Sequence, residues 1–291
     1  MSTLVPSYIT KVERGQKHLK DLEVAINTFA SGHPYHVTTS FIQGKRQKML
    51  RRLEFTQDAA NTDIPILLAD VVYNLRSALD HLMTSLVAPN KRGHVYFPIY
   101  FQGVWVLSGP GENEQRVKER GRWLADTEAV AEGAKTILKR MQPPDGGETG
   151  KANLLAVLNR LSNTDRHTQL PVVARGLRSV ALRWTLPNGT VQKGGAGMAR
   201  GLIEDRATLH GIPDQAVDVQ ADGEVVVAVR VRVQSGHAQF MQLPRDLFKL
   251  VNVIRGGPGL PPGVRGIIPD LVPFVRTTLR RYVMAAACLG I

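Results

Sequence analysis

Apolar positions recur along this chain with two different periods, and the change of period divides it. From Ile64 onward, Leu68, Val71, Val72, Leu75, Leu79, Leu82 and Leu86 fall at i, i+3, i+4 and i+7, the stripe of a helix that turns one face to a core. Asn61, Thr62 and Asp63 precede it as capping candidates, Pro65 fits its first turn, and Pro89–Asn90 ends it. A helix is likewise predicted over residues 8–30, with Val12, Leu19, Leu22, Ile26 and Phe29 inward and Ser31–Gly32 as its stop. The charged stretch from Glu112 to Arg140 predicts one helix or a pair, closed by Pro143–Pro144, and Ala152 to Leu161 a further apolar helix.

Two-residue alternation marks the rest. Residues 35–55 carry β-branched runs on either side of Gly44 and predict a hairpin with a basic tip, Lys45, Arg46, Lys48, Arg51 and Arg52. Residues 93–99 read as an extended segment, because Pro98 biases Phe97 away from helix. Beyond Leu170, Val180, Leu182 and Trp184 alternate with more polar neighbours, and Pro187–Asn188–Gly189 is a turn. Val225, Val227, Val229, Val231 and Val233 then form one strand face, opposite Val226, Ala228, Arg230, Arg232 and Gln234, so a buried face and a partly basic one are expected. The glycine-rich run 255–266 leads to a closing helix with Leu271, Val272, Val275, Leu279, Tyr282 and Val283 inward. The fold class expected is α+β: a mainly helical, bundle-like part over residues 1–170 with a β-hairpin inserted at about 35–55, then an antiparallel β unit and a C-terminal helix over 171–291.

Composition narrows the setting. The chain has 291 residues, 43% hydrophobic and 21% charged, enough for a full core in one or two domains. Its single cysteine, Cys288, excludes an intramolecular disulfide and a cysteine zinc cluster, which makes a reducing cytoplasm the expected location. No run approaches the roughly 20 apolar residues of a membrane span, and no membrane partner is expected. The net charge of +12 is uneven: Lys and Arg outnumber Asp and Glu by 19 to 16 in residues 1–150 but by 18 to 9 in 151–291. That excess suits a polyanion such as RNA, contacted through Lys45, Arg46 and Lys48 at the hairpin tip and through Arg230 and Arg232 on the strand.

The long helix also holds the candidate chemistry. Asp70, Asn74, Ser77 and His81 share a polar face, with Asn74 and His81 within about 20° of each other around the axis, and Arg76 and Asp80 are spaced to pair. A second polar cluster, Asn163, Asp165, Arg166 and His167, follows the helix that ends near Leu161. If the clusters meet, His81 and His167 can act as acid and base around an RNA phosphate clamped by Arg76 and Arg166, with Asn74, Asp80, Asn163 and Asp165 in support and no cofactor. Alternatively His81, His167 and one carboxylate bind a divalent metal with an open position. A third arrangement needs no chemistry: Arg76 pairs with Asp80 or Asp165, His81 with Asn74 or Asp165, and the network fixes helix register.

The Arg76-Ser77-Ala78-Leu79-Asp80-His81 run has the form Arg-x4-His and resembles the signature of the HEPN superfamily, named for higher eukaryotes and prokaryotes nucleotide-binding. The resemblance implies a helical bundle acting as a metal-independent endoribonuclease of toxin or defence type, in which a homodimer brings two Arg and His pairs together to cut RNA through the 2′-hydroxyl. Where that family carries Asn, Asp or His after the Arg, this chain has Ser77. Over residues 65–170 the order NLRSALDHL, YFPI, Gln142–Pro143 and Leu158 to His167 also resembles a group of uncharacterised bacterial proteins, which attaches no activity but links the two polar clusters.

Overall fold

The computed structural model describes residues 6–42, 48–87, 95–100, 114–142, 154–165, 170, 172–195, 202–232, 238–243, 245–256, 267–269, 271 and 273. It is α+β, with antiparallel sheets. Its contacts group the chain into two compact units. One comprises residues 1–19, 69–168 and 246–291; the other comprises 20–68 and 169–245. The helical unit therefore includes the segment after residue 245, and the β unit includes the hairpin near residue 35, a division that differs from a single cut at residue 170.

The helical unit contains α1 (Ser7–Ser31) as far as Leu19, and α2 (Ile64–Leu86) from Ala69 onward. Its other helices are α3 (Glu114–Thr127), α4 (Glu132–Met141), α5 (Leu154–Asp165) and α6 (Arg245–Arg255). The stripe on α2 is buried as its spacing predicts: Val71, Val72, Leu75, Ala78, Leu79, Leu82 and Met83 are fully covered. Each large apolar side chain so removed from water contributes about 1.5–3 kcal/mol to the unit's core. Gly15 lets α1 approach it closely, since a Cβ there would stand 3.3 Å from Leu75 Cδ2 and 3.5 Å from Asn74 Cβ.

Two helices depart from expectation. α5 continues past Leu161 to Asp165, because Ser162, Asn163 and Thr164 are poor helix formers but not breakers, and neither Gly nor Pro intervenes. α6 carries Leu247, Leu250, Val251 and Ile254, all at most 1% exposed, at the same i, i+3, i+4, i+7 spacing, a helix absent from the expectation of a strand followed directly by the glycine-rich run. Of the closing helix, Ile267, Ile268 and Leu271 are helical and buried, and its residues from 274 lie outside the described set.

In the β unit, β1 (Tyr35–Ile42) pairs antiparallel with β2 (Lys48–Phe55), from Tyr35 opposite Phe55 to Ile42 opposite Lys48. The larger sheet runs β4 (Val191–Gly195), β3 (Val172–Thr185), β6 (Asp218–Arg232), β7 (Ala238–Gln242), with the short β5 (Leu202–Glu204) also on β3. Backbone bonds from Leu53 to Ala207, Arg206 to Leu53 and Leu209 to Arg51 tie β2 to the chain after β5. Gly176 on β3 is obligatory for close approach, because a Cβ would collide with the Ile203 carbonyl. The expected two-faced character of β6 is corrected in its middle: Val225, Val226, Val227, Ala228 and Val229 are all buried, and the even-numbered face is exposed only on either side of them, at Asp218, Gln220, Asp222 and Glu224 and again at Arg230.

Candidate functional site

Arg76 and Asp80 lie one helical turn apart on α2 and pair at 3.2 Å, with side chains 11% and 19% exposed. Both also reach the extended segment 95–100. Arg76 Nη2 donates to the Phe97 carbonyl at 2.9 Å, and the Phe97 N–H donates to Asp80 Oδ1 at 2.9 Å. Phe97 is 1% exposed, so its two backbone groups need partners inside the protein, and the ion pair supplies an acceptor and a donor where a neighbouring strand would otherwise do so.

Gln142, just after α4, completes the fastening. Its Nε2 donates to the Pro98 carbonyl at 2.8 Å and to Leu138 O at 3.1 Å, while its Oε1 accepts from the Tyr100 N–H at 2.9 Å. Tyr100 in turn donates its hydroxyl to Asp126 Oδ2 at 2.6 Å and meets the Trp123 ring edge-on. Two separate stretches, NLRSALDH on α2 and YFPI, and the residue Gln142 are thereby joined at one extended segment through Arg76, Asp80 and Gln142.

The other predicted residues of α2 have different partners. His81, half-buried, shares a hydrogen bond of 2.9 Å between its Nδ1 and Ser7 Oγ on α1. Asn74 is 4% exposed; its Nδ2 donates to Asp70 O at 2.8 Å, and its buried Oδ1 has no partner among the described residues. Asp70 faces His18 Nδ1 at 3.9 Å. On α5, Asn163 is exposed and Asp165 half-buried; burial, and after it the negative charge of Asp70, raise the Asp165 carboxyl above the ordinary aspartate value. Asp165 thus senses Asp70, which lies about 16 Å along the axis from His81, eleven residues at about 1.5 Å each. Arg166 and His167 lie outside the described residues, as do Lys45 and Arg46.

Among the described residues no three His, Cys, Asp or Glu side chains are grouped as a metal ion would require. Arg51, expected in the basic tip, is instead 2% exposed, with Nη2 donating to the carbonyls of Asp214 at 3.2 Å and Ala216 at 2.9 Å. It holds a turn of the β unit and offers no charge to a partner. Lys48 opens β2, Arg230 is exposed, and Arg232 ends β6.

A second locus lies outside both predicted polar clusters. An open cleft of about 590 Å³ in the β unit is lined by His33, Ser179, Arg183, Lys193, Gln220 and Asp222 together with strand backbone. It lies where β3 and β6 lose register between Arg178 and Ala181, so that Ser179 and Val180 bulge opposite Gly223. His33, at φ 48°, and Ser179, at φ 55°, are two of three described non-glycine residues in the left-handed region. No spacing in the sequence announces this cleft, because β3, β4 and β6 contribute to it only through their pairing register.

In comparison with known proteins, no family model matches the chain, and neither a curated protein nor a solved structure matches it.

Proposed function

We propose that this chain is a non-enzymatic binding protein in which the Arg76–Asp80 pair is a structural fastener and exposed cations contact a polyanion, RNA being the expected partner. The observation that carries the reading is the engagement of both side chains with the Phe97 backbone. A phosphate clamp needs a guanidinium that solvent-borne phosphate can reach, whereas the Arg76 side chain is 11% exposed, donates to the Phe97 carbonyl and has its charge facing Asp80. Arg230, exposed on β6, and the overall charge of +12 supply the attraction. Fluorescence anisotropy with a labelled single-stranded RNA tests the reading. Binding should weaken by orders of magnitude between 50 and 200 mM salt if about six phosphates are neutralised, and an Arg230/Arg232→Ser variant should bind more weakly with a shallower salt slope. No binding at low salt, or binding indifferent to salt, overturns it.

A metal-independent ribonuclease of the HEPN type is the second reading. It is supported by His81, whose bond to Ser7 through Nδ1 would orient the ring and leave Nε2 for proton transfer. Cleavage of single-stranded RNA in the presence of EDTA, abolished by His81→Ala in a folded and dimeric protein, is its expected signature. Intact RNA after prolonged incubation with wild type rules it out.

A further inference from the structure

β3 carries three described arginines, and they are treated differently. Arg175 pairs with Glu204 at 2.9 Å and Arg178 faces Glu224 at 3.9 Å, whereas Arg183 makes no ion pair among the described residues. Its cross-strand neighbour on β4 is Lys193, likewise exposed and likewise without an ion pair among the described residues. Two like charges directly opposite on adjacent strands repel, so the sheet gains nothing from this juxtaposition as it stands. On its other side Arg183 faces Gln220, and the nearest carboxylates on β6, Asp218 and Asp222, occupy the diagonal positions at about 7–8 Å between backbones.

These two cations lie on the wall of the 590 Å³ cleft, which has the size of a small-molecule site and is far larger than a bare phosphate requires. The remaining lining suits a hydroxylated body. Asp222 accepts hydrogen bonds, Ser179 and Gln220 both donate and accept, and His33 is also part of the lining. Opposite the Arg183 side of the sheet, the Trp184 indole lies over Gly194, and its Nε1 donates to Gln192 at 3.0 Å, which fixes the β3–β4 register and hence the spacing of the two cations.

We propose that this cleft binds a phosphorylated sugar, free or as part of a nucleoside monophosphate, with the phosphate between Arg183 and Lys193 and the sugar hydroxyls on Asp222 and Gln220. The site is independent of the helix network and of the RNA-contacting reading above.

Calorimetric titration of the full chain with ribose 5-phosphate, adenosine 5′-monophosphate, ribose and inorganic phosphate tests it. Both phosphorylated sugars should bind at least tenfold more tightly than ribose or phosphate alone. A tighter fit for the nucleotide identifies it as the source, and equal affinities identify the sugar phosphate as sufficient. Arg183→Gln and Lys193→Gln should each weaken binding about tenfold, the range of one charge-assisted contact, and the double variant about a hundredfold. Because both side chains are exposed, circular dichroism should show these variants folded. Arg122→Gln, an exposed charge on α3 in the helical unit, should leave affinity unchanged. Asp222→Asn should narrow the preference for sugar phosphate over phosphate. Absence of binding at millimolar ligand, equal affinity for phosphate and its sugar esters, or full affinity in the double variant overturns the proposal.

Discussion

Removing Arg76 should destabilise the helical unit by an amount that a surface charge could not account for. Truncation to Ala takes away a charge-assisted bond to the Phe97 carbonyl, about 1.5–3 kcal/mol, and leaves that carbonyl without its Arg76 donor in a residue 1% exposed. It also removes the Arg76 charge from beside Asp80. Breaking a fully buried pair costs about 3–5 kcal/mol, but at 11% and 19% exposure water recovers part of that, so about 2–4 kcal/mol is expected overall. Asp80→Asn should cost less, about 1 kcal/mol, since an amide oxygen can still accept from the Phe97 N–H. Urea denaturation gives the loss. Two compact units need not unfold as one, so hydrogen exchange at the Phe97 amide supplies the local measurement: it should accelerate in Asp80→Ala and stay slow in Asp80→Asn. An Arg76→Ala protein within about 0.5 kcal/mol of wild type, with Phe97 exchange unchanged, refutes the fastening argument. Loss of RNA cleavage in that same stable variant would make Arg76 a functional residue.

Gly15→Leu should cost about 1–3 kcal/mol by overpacking against Leu75 and Asn74, whereas Gly15→Ala needs only a slight shift of the Leu75 side chain; urea midpoints compare them. Arg51→Ala, which orphans the Asp214 and Ala216 carbonyls, should cost about 2–4 kcal/mol in the β unit, and Arg51→Lys should recover little because one ammonium cannot reproduce the guanidinium geometry; both are read from denaturation curves. Asp165→Asn carries a sign that depends on pH. Burial, aided by Asp70, raises the folded carboxyl above its unfolded value, so the stability linked to its proton is present at low pH and is lost as pH rises through the folded value. The Asn variant should therefore melt higher than wild type at pH 7 and lose that advantage below about pH 4, near the ordinary aspartate value, in paired melting curves.

The sequence by itself determined the elements whose side chains repeat with a clear period. The stripe on α2 is buried at each residue from Leu68 to Leu86, and α1 and the β1–β2 hairpin occur within a residue or so of their expected limits, because burial on one face is written directly into spacing. α6 shows the same stripe and was equally legible. Only its position beside glycine-rich sequence hid it.

Polar partners were a different matter, since Arg76 could equally have met Asp80 or Asp165. The backbone of Phe97, the partner that explains both Arg76 and Asp80, is a group every residue possesses and no motif can flag. Arg183 and Lys193 are ten residues apart in the chain and become neighbours only through strand register. Arg51 and Arg52 look alike as letters, yet one is buried on two carbonyls and the other is exposed, because alternate residues of a strand point to opposite faces and only the sheet's packing decides which face is covered.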